Sequence, residues 1–196
     1  ILVSNSSMGG WDSFGLSKTV THSKSNELFE IDGRCALDLY KEYLGKYSDG
    51  LPGTALLFPL AVKLNEKEDS IVRTILSINN ESKSMIFAGD IPEGSKVKFM
   101  MANFDRLIDA AGIAAKRSVE QLINFKPELA ILISCVGRRI VLASRTDEEI
   151  EAVQSEIGMN VPITGFYSYG EISPMSDSVG CQLHNQTMTI TCLQEI

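Results

Sequence analysis

The chain has 196 residues, 44% hydrophobic and 22% charged, a balance that suits a folded core and excludes a disordered chain. Lys+Arg 18 against Asp+Glu 25 leaves a net charge of −7, too acidic for a general nucleic-acid binder, whose phosphate contacts need basic surface. The longest apolar runs, residues 54–62 and 129–137, are about half of what crosses a bilayer, so no membrane partner is expected.

The chain opens on Ile1-Leu2-Val3-Ser4-Asn5, a strand-like run without a basic leader, which predicts a fragment of a longer polypeptide with no signal peptide. A Gly-rich turn at Gly9-Gly10 leads to Trp11 and Phe14. A helix is predicted over 32–44, capped by Asp32, striped by Leu37, Tyr40 and Leu44 and stopped at Gly45. Strands at 54–64, 72–78, 85–91 and 96–102 follow, separated by Asn79-Asn80-Glu81 and Pro92-Glu93-Gly94, the pattern of an antiparallel meander. A second helix over 103–124 is capped by Asn103 and carries Leu107, Ala111, Ala115, Val119 and Leu122 on one stripe. Gly112 inside it costs about 1 kcal/mol against Ala, so either the packing tolerates it or a neighbour needs the closeness. Pro127 prevents continuation.

Residues 130–134 are a continuous apolar run between helices, which predicts a strand covered on both faces. Thr146-Asp147-Glu148-Glu149 reads as a capping box opening a third helix, with Ile150, Val153 and Ile157 buried and Gly158 at its end. Strands over 163–169 and 184–193 complete the chain, and in the last Met188, Ile190 and Cys192 alternate with Thr187, Thr189 and Thr191. Together these elements predict an α/β (α+β) fold, layered and mixed, with a largely antiparallel sheet covered by helices. Cys35, Cys135, Cys181 and Cys192 show no CxxC spacing and read as reduced thiols of a cytoplasmic protein.

The common fingerprints of nucleotide enzymes, zinc proteases and α/β-hydrolases are missing. Three polar stretches nevertheless interrupt apolar strands: Ser134-Cys135-Val136-Gly137-Arg138-Arg139, Gly165-Phe166-Tyr167-Ser168-Tyr169-Gly170-Glu171, and Leu183-His184-Asn185-Gln186-Thr187. Ligands of layered α/β folds bind outside the carboxyl ends of strands, where such loops converge. Gly137 would free the backbone to turn, Arg138 would present a planar fork to a carboxylate, Glu171 would accept from an ammonium group, and Tyr167 and Tyr169 would wall the site. Cys135, Gly170, His184 and Asn185 complete the expected binding set, which suits a small zwitterion such as an amino acid.

Plainer roles stand beside these. Arg138 and Glu171 could pair with each other or lie in solvent, the tyrosines could edge a core, and His184 could be bonded to backbone. Cys181 and His184 resemble half a zinc site, but in an extended stretch an offset of three puts them on opposite faces; a quartet would need a turn near Ser178 and help from Cys135. A Cys135–His184–Glu171 nucleophilic triad is a third possibility, against which stands the habitual burial of cysteine.

The same stretches resemble FIST-domain sensory proteins. Gly10-Trp11, Phe14-Gly15, Thr19-Val20-Thr21 and Glu30-Ile31-Asp32-Gly33-Arg34-Cys35 running on to Tyr40 are similar to the end of the FIST N-terminal region. The three polar stretches are similar to motifs of the FIST C-terminal domain. The resemblance implies that residues 1–31 end the N-terminal region and that 32–196 form the C-terminal sensory domain. It implies a cytoplasmic, non-enzymatic module that binds amino acids or related small ligands and signals to a partner such as a histidine kinase or another output module. No cofactor is expected on this reading. Some family members are haem-containing nitric-oxide sensors, which leaves haem at His184 or His22, the two histidines present, as an alternative. A thiol-dependent enzyme using Cys135 is the other.

Overall fold

The computed structural model describes residues 1–64, 70–174 and 180–196. In chain order its elements are β1 (Leu2–Met8), β2 (Asp12–Lys24), β3 (Glu27–Ile31), β4 (Arg34–Cys35), α1 (Ala36–Leu44), β5 (Leu60–Lys63), β6 (Ile71–Arg73), β7 (Ile75–Asn79), β8 (Ser84–Phe87) and β9 (Lys96–Met101). They continue with α2 (Phe104–Glu120), β10 (Leu129–Cys135), α3 (Val136–Leu142), α4 (Thr146–Ile157), β11 (Ile163–Ser168), β12 (Glu171–Ser173), β13 (Gln182–His184) and β14 (Met188–Gln194). The fold is mixed α+β, as the patterning predicts. It divides into two units, Asp12–Ala102 and Ile1–Trp11 with Asn103–Ile196.

Within Asp12–Ala102 the strands pair antiparallel in the order β6-β5-β9-β2-β3-β8-β7, with β4 on β3. β6 and β7, at opposite ends of that order, are separated in the chain by Thr74 alone, so the sheet must curl until its edges approach. α1 packs into the curl: Leu37, Tyr40 and Leu44 share one apolar cluster with Leu28, Leu60, Phe87 and Phe99.

Several expectations are corrected here. Asp32 does not cap a helix. With Gly33 it forms the two-residue turn of the β3–β4 hairpin, at φ 50° and 71°, the paired positive φ of a type I′ turn, and its carboxylate accepts from the Thr19 amide at 2.8 Å. The strand expected over 54–64 shortens to β5, because Gly53–Leu57 is a 3-10 turn and Pro59, which lacks a donor, precedes the ladder. Residues 72–78 break at Thr74. Nor is the run a meander, because β9 pairs with β5 and β2 while β8 pairs with β3. β2 and β3 are therefore integral to this sheet, and β1 belongs to the other unit.

The second unit is built on a sheet of order β1-β14-β10-β11, antiparallel except for the parallel β10–β11 pair. The predicted alternation of β14 is observed: Met188, Ile190 and Cys192 are fully buried and Thr189 and Thr191 half-buried. On that buried side Ala111, Ala114 and Ala115 of α2 and Val153 and Ile157 of α4 pack against Ala130, Leu132 and β14. β10 departs from the expectation of two covered faces. Ala130, Leu132 and Ser134 are buried under the helices, whereas Leu129, Ile131 and Ile133 on the reverse face are half-buried. Its apolar character reflects a central place in the sheet more than a second helical layer.

α2 starts as predicted, with the Asn103 side chain accepting from the Arg106 amide at 3.3 Å, but ends at Glu120 ahead of a turn in which Asn124 takes φ 59°. The strand expected over 184–193 is broken at residues 185–187, where Gln186 has φ 63°. No helix among the described residues is long and apolar enough to cross a membrane.

Gly112 faces α4, and a Cβ placed there would lie 3.6 Å from the Ala152 carbonyl oxygen and 3.7 Å from Ala152 Cβ, ordinary contact distances. Closeness therefore does not require the glycine. Gly112→Ala is expected to stabilise the protein by about 1 kcal/mol, read as a higher urea midpoint at unchanged slope. A lower midpoint would show that the two helices cannot accept the methyl group.

Candidate functional site

β10 ends at Cys135 and α3 begins at the next residue, so the polar stretch here is split between two faces of the sheet. Ser134 points to the helix side. One turn on, Arg138 is driven into the same side and has no exposed surface. Its Nε and Nη2 donate to Glu149 Oε2 at 3.0 and 2.9 Å. Nη2 also donates to the Leu107 carbonyl at 2.7 Å and Nη1 to the Gly9 carbonyl at 2.5 Å, while Ser134 Oγ donates to Glu149 Oε1 at 3.0 Å. The fork expected to meet a ligand carboxylate thus meets a protein carboxylate, and its partner is Glu149 rather than Glu171.

Glu149 corrects a second expectation. It does not complete a capping box: no side chain caps α4, and the Thr146 hydroxyl donates to the Ala143 carbonyl at 2.7 Å. Glu149, Val153 and Ile157 recur every four residues and form the buried stripe of this helix. That spacing was the available signal for an inward carboxylate.

On the reverse face the β12–β13 pairing sets Glu171 directly opposite His184, and the Cys135 amide donates to the Thr187 carbonyl at 3.0 Å. Glu171 is enclosed: Oε1 accepts from Ser168 Oγ at 2.6 Å and Oε2 from Thr187 Oγ1 at 2.9 Å. His184 Nε2 lies 3.0 Å from the Ser173 carbonyl, so that nitrogen carries the ring hydrogen. The Ser173 hydroxyl is 2.7 Å from that of Ser7, which is 2.7 Å from that of Thr189. Asn185 Nδ2 donates to the His184 carbonyl at 3.1 Å. Cys135, Glu171, His184 and Asn185 therefore lie in one buried region, but each is bonded to its own neighbours, Thr187, Ser168, Ser173 and the His184 carbonyl among them. Gly137 sits against it, where a Cβ would come within 2.6 Å of Gln186 Oε1, so a side chain there requires the Gln186 amide to shift. Gly170 approaches Leu183 in the same manner, with a virtual Cβ 2.9 Å from Leu183 Cδ1.

The open feature lies on the helix side, over β11. A cleft of about 570 Å³ runs between β11, α3 and the start of α4. Arg139, Thr146 and Asp147 border it, the Ser134 and Tyr167 side chains contribute hydroxyls, and Leu132, Ile150, Ile163 and Met188 supply apolar wall. The Arg139 guanidinium stands over the Tyr167 ring at 5.1 Å. Of the nine expected binding residues only Tyr167 lines this cleft. Tyr169 is 87% exposed, on the loop beyond β11. Arg139 and Asp147 were not expected here: the sequence does not show that the helices bury Arg138 and Glu149 and leave Arg139 and Asp147 exposed.

Electrostatics separates the two regions. Burial pushes the Glu171 carboxyl above the ordinary range, and the hydrogen bonds from Ser168 and Thr187 oppose it. Burial raises the Cys135 thiol as well, Glu171 adds to the rise, and the backbone of Gln186, then that of Gly137 and Arg138, opposes it only in part. A thiol shifted in this direction is a poor nucleophile at neutral pH. Burial, then the Glu149 carboxylate, raises the Tyr167 phenol. Haem does not fit at His184, which is 1% exposed and held against backbone. His22 is bonded to Glu93 at 2.9 Å and packed on Phe29. Cys181 is exposed while His184 is buried; Ser178 lies outside the described residues, among which no three metal-ligating side chains converge.

The sign of the Glu171 shift yields a prediction. With its folded value above its unfolded one, the folded chain holds the proton longer, so this carboxyl stabilises the fold at acid pH and that contribution is lost as pH rises through the folded value. Glu171→Gln, which keeps acceptor and shape, is expected to gain stability relative to the parent from about pH 4 toward pH 8. Melting temperatures of the two proteins over that range check it; a constant difference would show a carboxyl that titrates alike in both states.

Among known proteins, the family model for the FIST C domain matches residues 36–174. No curated protein and no solved structure matches the chain. The matched span takes in the first two polar stretches but not the third, and covers more than half of the sequence; the chain belongs to the FIST C domain family.

Proposed function

We propose that this chain is a ligand-binding sensory domain without catalysis of its own, and that the cleft over β11 takes an amino acid or a related small zwitterion. The FIST C domain is a sensory-domain family, which supplies the general role. The observation that carries the specific reading is the pairing, on the rim of one cleft, of an exposed guanidinium with an exposed carboxylate above an apolar wall. Arg139 offers a planar fork to a carboxylate and Asp147 an acceptor to an ammonium group. Ser134 and Tyr167 add hydroxyls, and Leu132, Ile150 and Ile163 accommodate an aliphatic side chain. A volume of about 570 Å³ falls within the range of small-ligand sites. The roles first assigned to Arg138 and Glu171 thus pass to residues in the open cleft.

Signal output on this reading goes to a separate partner such as a histidine kinase or another output module. The thiol-enzyme alternative finds no support in a buried Cys135 whose thiol is shifted away from the reactive form. Nor does haem, given the contacts of His184.

The test is a thermal-shift screen of the twenty standard amino acids, followed by calorimetry, since a ligand specific to the folded state raises its melting temperature by mass action. Arg139→Ala and Asp147→Ala are each expected to weaken binding at least about tenfold, the cost of one charge-assisted hydrogen bond. Both positions are exposed, so melting temperatures without ligand should stay close to the parent's. Undiminished affinity in both variants would remove the cleft from the role.

A further inference from the structure

The chain crosses between its two units twice, between Trp11 and Asp12 and between Ala102 and Asn103. Both crossings are tied to one side chain. Arg138 Nη1 donates to the carbonyl of Gly9, two residues before the first crossing, and Nη2 to the carbonyl of Leu107, in the first turn of the helix that follows the second. Its remaining contacts go to Glu149, whose other oxygen accepts from Ser134, a residue of the cleft wall. One buried ion pair therefore stands between the cleft and both crossings.

We infer that the Ser134–Glu149–Arg138 chain is a relay that reports occupancy of the cleft to the two points where the polypeptide passes between units. The inference rests on the cleft being the ligand site. A ligand that engages the Ser134 hydroxyl competes with Glu149 for it. The carboxylate then redistributes its remaining bonds onto Arg138, and the hold of Arg138 on Gly9 and Leu107 changes with it. The coupling is no larger than the difference in these bonds between the empty and the filled cleft. Two features favour a switchable arrangement. The pair is fully buried, so each bond is unscreened by water, and its far acceptors are single backbone carbonyls with no charge of their own.

The sequence contains one tryptophan, Trp11, and it sits at the first crossing. Its indole Nε1 donates to the Gln186 carbonyl at 3.0 Å, and its ring lies against Gly9, where a virtual Cβ is 3.2 Å from Trp11 Cδ1. Its emission is a built-in monitor. Two measurements on the full chain test the relay. In the first, without ligand, Ser134→Ala removes the cleft end of the relay, and amide hydrogen exchange is followed by peptide. Exchange is expected to rise about tenfold in the segments 9–12 and 103–107 while the C-terminal half of α4 is unchanged. Unchanged exchange at either crossing overturns the relay, and so does a uniform rise throughout the unit, which signals lost packing alone.

In the second measurement, the twenty standard amino acids are titrated singly against Trp11 emission and by calorimetry. Binding should shift the emission in the parent. Binding without any change in Trp11 in the parent overturns the relay. Absence of binding by any amino acid instead overturns the proposed ligand class, and the exchange measurement then decides the relay by itself.

Discussion

The second unit is organised around a charge that cannot be left alone. Moving a guanidinium and a carboxylate out of water costs several kcal/mol per ion, and the Arg138–Glu149 attraction offsets this only because every neighbour contributes a hydrogen bond in good geometry. Gly9, Leu107 and Ser134 supply those bonds. Truncating either ion would strand the other, at about 3–5 kcal/mol, a large share of the stability of any domain. The start of α2, the end of β1, the end of β10 and the first turns of α3 and α4 are held in register by this demand. An apolar core of the same volume would be as stable, but it would not specify which carbonyl faces which donor.

The same demand explains why the open cleft lies one residue away from the residues that first attract attention. Successive helical side chains diverge by about 100°, so a residue adjacent to a buried ion on a helix need not share its face. Arg139 follows Arg138 on α3, and Asp147 precedes Glu149 on α4 by two positions. The buried members anchor the two helices. The outer members are left on the cleft rim with their charges solvated and available.

How much of this was legible depends on the range of the interaction. The alternation of Met188, Ile190 and Cys192 against threonines is local, and β14 obeys it. Asn103 as a cap and the stripe of α2 are local too. Asp32-Gly33 was also local, but two rules compete for an Asp before an apolar run, and the hairpin turn wins because Ile31 and Arg34 have each other to pair with. Glu149 fits both a capping box and a helical stripe, and only the presence of Arg138 on a neighbouring element decides between them. Strand order in the curled sheet was not legible at all. The pairing of β2 with β9 joins residues more than seventy positions apart, and no periodicity within a strand encodes its partner.

The closed cluster on the reverse face makes sense as the counterpart of the cleft. β12 and β13 are three residues each, too short to hold a hairpin by themselves. The enclosed Glu171, the His184–Ser173 bond and the serine and threonine hydroxyls of Ser7, Ser173 and Thr189 fasten this hairpin to the end of the sheet. Cys135, at the junction of β10 and α3, is a small apolar residue whose amide completes the bonding to Thr187. Fixing that junction from behind fixes the direction in which α3 leaves the sheet, and hence where Arg138 and Arg139 point. Polar residues closed off from solvent can in this way set the direction of the exposed ones.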